Sequence, residues 1–144
     1  MTGENPFTHV APELMPILEE LRLREPIFHT SAFGLTAEEF LHSTAPGYWE
    51  VGASGRRYSR ELILAGVRKW PEHFVDASIA GWRTEDFGLL QLGAETYLVT
   101  YILDQNGRLT RRSTIWRRGD DGWRILYHQG TIVGGEEIEM PPEE

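Results

Sequence analysis

The side chains with the clearest chemical capacity lie near the C-terminal end of the chain. A polar pair, His128-Gln129, interrupts the apolar run Ile125-Leu126-Tyr127. His128 is the candidate general acid or base, since an ordinary histidine pKa of about 6.5 suits proton transfer near neutrality. Cofactor-free chemistry of this kind needs a dry pocket, a second group that orients the base, and a donor for developing negative charge. Glu50 is the candidate to act as the base itself or to orient it, and Tyr58 or Arg112 to polarise a carbonyl. Each has a plainer reading. His128 bonds a backbone group or the Thr114 hydroxyl, Glu50 pairs with Arg56, Arg57 or Arg60, and Trp49 and Trp116 pack rather than stack on a ligand.

The remaining residue types exclude several chemistries. His9, His29, His42, His73 and His128 show no HxH or HExxH spacing, so no metal site is expected. The absence of cysteine removes thiolate catalysis, disulfides and Cys-ligated zinc. Gly52-Ala53-Ser54-Gly55 is too short to cradle a phosphate chain, and there is no GxGxxG or Walker loop, so no cofactor is expected. Neither Ser54 nor Ser113 sits on a nucleophile elbow. A net charge of −8 argues against a nucleic-acid partner. No apolar run approaches the roughly 20 residues of a membrane helix. Met1 to Phe7 lacks the basic and apolar regions of a secretory signal, so a cytoplasmic location is expected. Arg108, Arg111, Arg112, Arg117, Arg118 and Arg124 gather on one hairpin. They read as a solvated face that discourages edge pairing or, more sharply, as an anion site.

The elements that must position these residues follow from periodicity. Leu14, Ile17, Leu18 and Leu21 recur at helical spacing, which predicts a helix over about Pro12 to Arg24 with Pro16 in its first turn. Thr36 with Glu39 forms a capping box for a short helix, Ala37 to Ser43, that Pro46-Gly47 should stop. A strand is predicted over Tyr48 to Gly52. Ser59 then caps a third helix whose buried stripe is Ile63, Val67 and Trp70. From Phe74 the period becomes two, with strands predicted near 74–83, 86–92, 96–104, 108–118 and 123–132 and hairpin turns at Asn106-Gly107 and Asp121-Gly122. Helices followed by an antiparallel meander make a single α+β domain over 1–134, with an acidic, flexible tail over 135–144. A helix layer on one face of a strongly curved sheet encloses a conical cavity.

This order of elements resembles the nuclear transport factor 2-like (NTF2-like) superfamily, and within it the bacterial domain-of-unknown-function 4440 (SnoaL-like) family. The resemblance rests on Glu25-Pro26-Ile27-Phe28-His29, on the block from Trp49 to Arg60, on Arg111 to Arg118, and on His128-Gln129-Gly130-Thr131. It implies the cone-shaped fold and leaves function open, since the superfold hosts enzymes, adaptors and assembly domains. The Trp116-to-Trp123 hairpin is also similar to that of the association domain of calcium/calmodulin-dependent kinase, whose cavity arginines correspond here to Leu98, Thr114 and Gly130. None of these is basic, which argues against a shared anionic ligand.

With a three-residue bulged loop at each hairpin, Thr100 pairs with Arg112 and Leu98 with Thr114. The expected cavity face is then Leu98, Thr100, Ile102, Arg112, Thr114, Trp116, Leu126 and His128. A one-residue slip would exchange a strand's two faces. The expected ligand-binding residues are Trp49, Tyr58, Thr100, Arg112, Thr114 and Trp116. The opposite face, with Tyr97, Tyr101, Ile115, Ile125 and Tyr127, is expected either to pair with a second copy of the chain or to be covered by its own N-terminal segment. The leading expectation is a homodimer binding a small, largely apolar molecule. The alternatives are an isomerase, cyclase or hydratase using His128, and a ligand-free scaffold.

Overall fold

The computed structural model describes residues 5–27, 36–71 and 81–135. A 3-10 turn, Pro12–Leu14, leads into α1, Met15–Arg22, which has Pro16 in its first turn and buries Ile17, Leu18 and Leu21. A proline costs little there because the first N–H groups of a helix have no intrahelical acceptor. α2 spans Ala37–Ser43, and its capping box closes in both directions. Glu39 N donates to Thr36 Oγ1 at 3.1 Å, and Thr36 N donates to Glu39 Oε1 at 3.0 Å.

The chain passes directly from Ser43 into β1, Thr44–Val51. The strand therefore starts ahead of Tyr48, and Pro46-Gly47 does not stop the helix. The pair lies between Thr44 and Trp49, where the register with the neighbouring strand shifts and a missing N–H is tolerated. A short β2, Arg57–Ser59, pairs antiparallel with β1, and Ser59 caps α3, Arg60–Lys69, by accepting from Leu62 N at 3.1 Å. Arg60 locks this joint. Its guanidinium donates to Leu41 O (2.8 Å), Thr44 O (3.0 Å) and Thr44 Oγ1 (2.9 Å), satisfying carbonyls that the end of α2 leaves open. Trp70, expected in the stripe of α3, lies beyond it and is exposed.

β3 (Arg83–Gly93), β4 (Thr96–Gln105), β5 (Arg108–Gly119) and β6 (Gly122–Ile132) form the meander, and β6 lies parallel to β1. The sheet order is β2-β1-β6-β5-β4-β3. The strand expected over 74–83 falls mostly outside the described residues, as do most of the tail, His29 and His73. Leu18, Leu21, Phe40 and Val67 from the helices meet Leu89, Val99, Trp116 and Ile125 from the sheet in one core. This is the expected α+β cone. No described helix is long and apolar enough to cross a membrane.

The hairpins decide which residues face that core. Asn106 and Gly107 both take positive φ, 57° and 100°, and close a tight turn that pairs Gln105 with Arg108. This replaces the expected three-residue loop and moves the register by one. Val99 opposes Thr114 and Tyr101 opposes Arg112, so the two faces of β4 are exchanged. Tyr97, Val99, Tyr101 and Leu103 are buried, while Leu98, Thr100 and Ile102 turn outward. In the second hairpin the irregularity lies in the strand rather than in the turn. Ile115 pairs with Tyr127 and Trp116 with Ile125, leaving Leu126 as the extra residue of a bulge. Ile125 is therefore core, and Leu126 leaves the expected cavity face. Of the residues expected on the outer face, Tyr97, Tyr101 and Ile125 are buried under the helices, and Ile115 and Tyr127 remain outside.

The N-terminal segment crosses the outer face of β3 at Gly88. A Cβ at that position would lie 2.5 Å from the Phe7 carbonyl oxygen and 2.9 Å from Thr100 Oγ1. Gly88→Ala is therefore expected to lower stability by about 1–3 kcal/mol and to expose the segment before Val10 to protease. Urea titration with limited proteolysis checks this; unchanged stability and digestion would mean that the segment is not seated on Gly88.

Candidate functional site

Three ladders converge on the helix-facing side of the sheet. Glu50 of β1 is paired with Tyr58 on one side and with His128 on the other, while β5 sets Thr114 beside His128 and Arg112 beside Gly130. Thr114, Trp116 and His128 are sealed, with 0%, 0% and 2% of their surfaces exposed. Glu50, Tyr58 and Arg112 are only partly buried, so the concave face opens at these three residues.

Arg112 is placed by a hydroxyl and by a missing side chain. Its Nε donates to Thr110 Oγ1 at 2.9 Å. Its guanidinium lies flat over Gly130, where a Cβ would come within 2.7 Å of Nη1 and 2.9 Å of Cζ. Only glycine leaves this space. No carboxylate among the described residues lies within ion-pair distance, and the two terminal nitrogens have no hydrogen-bond partner there. Burial lowers the pKa of Arg112, against the pull of Tyr101, Glu50 and Glu25.

Behind it lies a buried carboxylate. Glu25, three residues past the end of α1, accepts from Tyr101 Oη at 2.6 Å on one oxygen and from Trp116 Nε1 at 3.0 Å on the other. Burial raises its pKa to about 7, partly offset by these donors. Glu50 accepts from Tyr48 Oη at 2.7 Å; burial raises its pKa, and Tyr48 and Arg112 oppose the rise. His128 Nδ1 and Thr114 Oγ1 share a hydrogen bond of 2.7 Å. Burial, reinforced by Arg112, lowers the His128 pKa to about 3, so the ring is neutral. Among the described residues no group of His, Asp and Glu is arranged to hold a metal ion.

Solved structures match this architecture. A protein of unknown function from the DUF3225 family of Pectobacterium atrosepticum aligns with a TM-score of 0.61 at 17% identity, over 92% of this chain and 100% of that one. An NTF2-like protein from Cytophaga hutchinsonii gives 0.57 at 12% identity, over 82% and 96%. A putative calcium/calmodulin-dependent kinase II association domain from Exiguobacterium sibiricum gives 0.56 at 15% identity, over 90% and 99%. The chain has the NTF2-like fold. No protein-family model matches it and no curated protein does, so the resemblance to the 4440 family rests on the four sequence blocks.

Within this NTF2-like cone, the expected site residues divide. Arg112, Thr114, Trp116, His128, Glu50 and Tyr58 come together on the concave side. Trp49 does not: it is 44% exposed on the outer face, edge-on to Tyr127 with ring centroids 4.9 Å apart. Thr100 is also outside, where it lines an open groove of about 700 Å3 between the N-terminal segment and the strands, with Phe7, His9, Leu98 and Ser113. Glu50 pairs with Tyr48 rather than with Arg56, Arg57 or Arg60, and His128 makes the plainer contact with Thr114. The sequence reading missed Glu25, Tyr48, Tyr101 and Thr110. Tyr101 was hidden by the register slip. Glu25 carries no spacing signal, because it follows the helix on a turn.

Glu25 and His128 pull stability in opposite directions with pH. A carboxyl raised from 4.5 to about 7 keeps its proton when the unfolded chain has lost its own, so Glu25 removes stability as pH rises through that interval. A histidine lowered from 6.5 to about 3 adds stability as pH rises from about 3 to 6.5. Glu25→Gln deletes the first effect alone. Relative to wild type, its stability is expected to improve by about 3 kcal/mol between pH 4.5 and 7. Urea titrations across that range measure the difference, and a constant offset at every pH would show that Glu25 does not titrate there.

Proposed function

We propose that the chain is a homodimeric module that binds a small, largely apolar molecule through an anionic or carbonyl oxygen held by Arg112. One observation carries the ligand half: a partly buried guanidinium is fixed over Gly130 and Thr110 with its terminal nitrogens unpaired among the described residues. A planar fork of donors in a low-dielectric setting favours a carboxylate or carbonyl oxygen. Arg112 also lines the open groove of about 700 Å3, where Phe7, Leu90 and Leu98 supply an apolar wall. The side chain of Arg112 lies over Gly130, one of the positions that correspond to a cavity arginine in the kinase association domain. An anionic ligand is thereby restored to consideration, although none of the aligned positions is basic.

The dimer half rests on the outer face. Trp49, Leu90 and Leu92 are 44%, 60% and 53% exposed, and Leu98, Ile115 and Tyr127 continue the apolar surface between them. Patches of this kind are rare on monomers, and two-fold pairing is the commonest way to cover one. The described part of the N-terminal segment touches the face at Gly88 and borders the groove beside Leu90, Leu98 and Thr100.

Binding is tested by calorimetric titration with a panel of aryl and alkyl carboxylates. Arg112→Gln is expected to weaken any hit at least about tenfold, the cost of a charge-assisted bond. Gly130→Ala, which evicts the guanidinium without removing it, should do the same. Hits that both variants bind unchanged would place the ligand elsewhere.

For association, Tyr127→Asp and Ile115→Asp are each expected to shift a micromolar dimer toward monomer in sedimentation velocity. A wild-type monomer at high concentration, or a dimer indifferent to both changes, would refute the outer-face interface.

A further inference from the structure

The outward side chains of the meander form rows that cross the strands, and the rows change character along them. One row is Leu90, Leu98, Ile115 and Tyr127; the next is Gly88, Thr100, Ser113 and Gln129; a third holds Ile102, Arg111 and Thr131. Successive rows lie about 7 Å apart, since outward residues recur at every second position of a strand. The groove of about 700 Å3 draws on all three: Leu90 and Leu98 from the first, Thr100, Ser113 and Gln129 from the second, Arg111 from the third. Along the strands its floor therefore passes from hydrocarbon, through uncharged polar groups, to a cation.

The middle row has bonding capacity to spare. Thr100 and Ser113 are half-buried and face each other on adjacent strands, about 5 Å apart. Their hydroxyls meet no hydrogen-bonding partner among the described residues. Gln129 Oε1 accepts from Tyr127 Oη at 2.6 Å, which leaves the Gln129 amide nitrogen to donate elsewhere. Among the described lining residues Asp86 is the only acid, and it lies on β3, two strands from Arg111. The negative end of a ligand therefore belongs on the β5 side.

We propose that this groove binds an N-acyl amino acid, with the acyl chain along Leu90, Leu98 and Phe7, the amide between Thr100 and Ser113, and the carboxylate at the arginine end. A hydroxyl both donates and accepts, and the N–H and C=O of a trans amide point to opposite sides of the chain that carries them. One hydroxyl thus meets the carbonyl and the other the N–H, while a ligand running along the strands keeps its apolar and charged ends over the matching rows. A fatty acid leaves both hydroxyls unmet, and an ester supplies the carbonyl alone. The carboxylate end rests on the anion reading above; the amide between two hydroxyls does not. Leu90 and Leu98 belong as well to the surface offered to a second copy, so the acyl end lies at the border of that interface.

Calorimetric titration of the full chain with N-octanoylglycine and with its ester analogue O-octanoylglycolate, which differ only by N–H against O, reads the amide contact. Wild type is expected to bind the amide about fivefold more tightly. Thr100→Val and Ser113→Ala, both on the outer face of the sheet, should each weaken the amide about fivefold, and the one that removes the N–H acceptor should bind amide and ester alike. Equal affinities in wild type, or a preference that survives both substitutions, overturn the N-acyl class; if that binding still falls in Arg112→Gln, the carboxylate reading stands alone. An amide preference that both variants weaken and Arg112→Gln leaves intact keeps the groove and its ligand class and refutes Arg112 as the anchor. If neither compound binds at millimolar concentration, the N-acyl class falls, and Arg112 is then judged on the carboxylate panel.

Discussion

The structure turns on one buried carboxylate. Glu25 leaves the end of α1 and accepts hydrogen bonds from Tyr101 on β4 and from Trp116 on β5. An ionised group in such a place is expensive unless its lone pairs are met, and here the Tyr101 hydroxyl and the Trp116 indole meet them, with no salt bridge among the described residues. The arrangement ties the helix layer to the middle of the sheet at a fixed point. It also requires Tyr101 to face inward, which is the register that the Asn106-Gly107 turn imposes. Local turn chemistry and a long-range polar contact thus demand the same alignment, the agreement between levels that makes a fold unique.

That anchor shapes the electrostatics of the open end. The charges of Glu25 and Glu50 both act on Arg112, yet it pairs with neither. Thr110 and Gly130 hold the guanidinium away from both. Glu25 and Glu50 are held by neutral donors, while among the described residues the terminal nitrogens of Arg112 have none to meet. An arginine neutralised internally would have no capacity left for a ligand. The division of partners keeps that capacity.

How much of this was legible in the sequence depended on how local each signal was. The capping box at Thr36 and Glu39, the Ser59 cap and the turn residues are written within a few positions, and α2 and the meander lie where those signals place them. Arg112, Thr114, Trp116 and His128 were placed on the concave face because β5 and the end of β6 tolerate the assumed register. β4 did not. A two-residue turn and a three-residue loop both suit Asn-Gly, and the choice between them inverts every side chain on the strand. Glu25 was illegible for a different reason: a single acid on a turn has no period, and its meaning comes from residues 76 and 91 positions away.

The same inversion explains why the two faces of the sheet carry such different chemistry. Tyr101 brings its hydroxyl to an acid inside the cone, a use that a solvated or interfacial tyrosine would not have. Leu98, beside Leu90 on the outer ladder, offers only hydrocarbon. Alternation along one strand therefore divides the labour: odd positions from Tyr97 to Leu103 build and brace the site, and even positions present an apolar outer surface. A change at an odd position acts on the Glu25 network, one at an even position acts on whatever covers the sheet, and the pleat keeps the two effects apart.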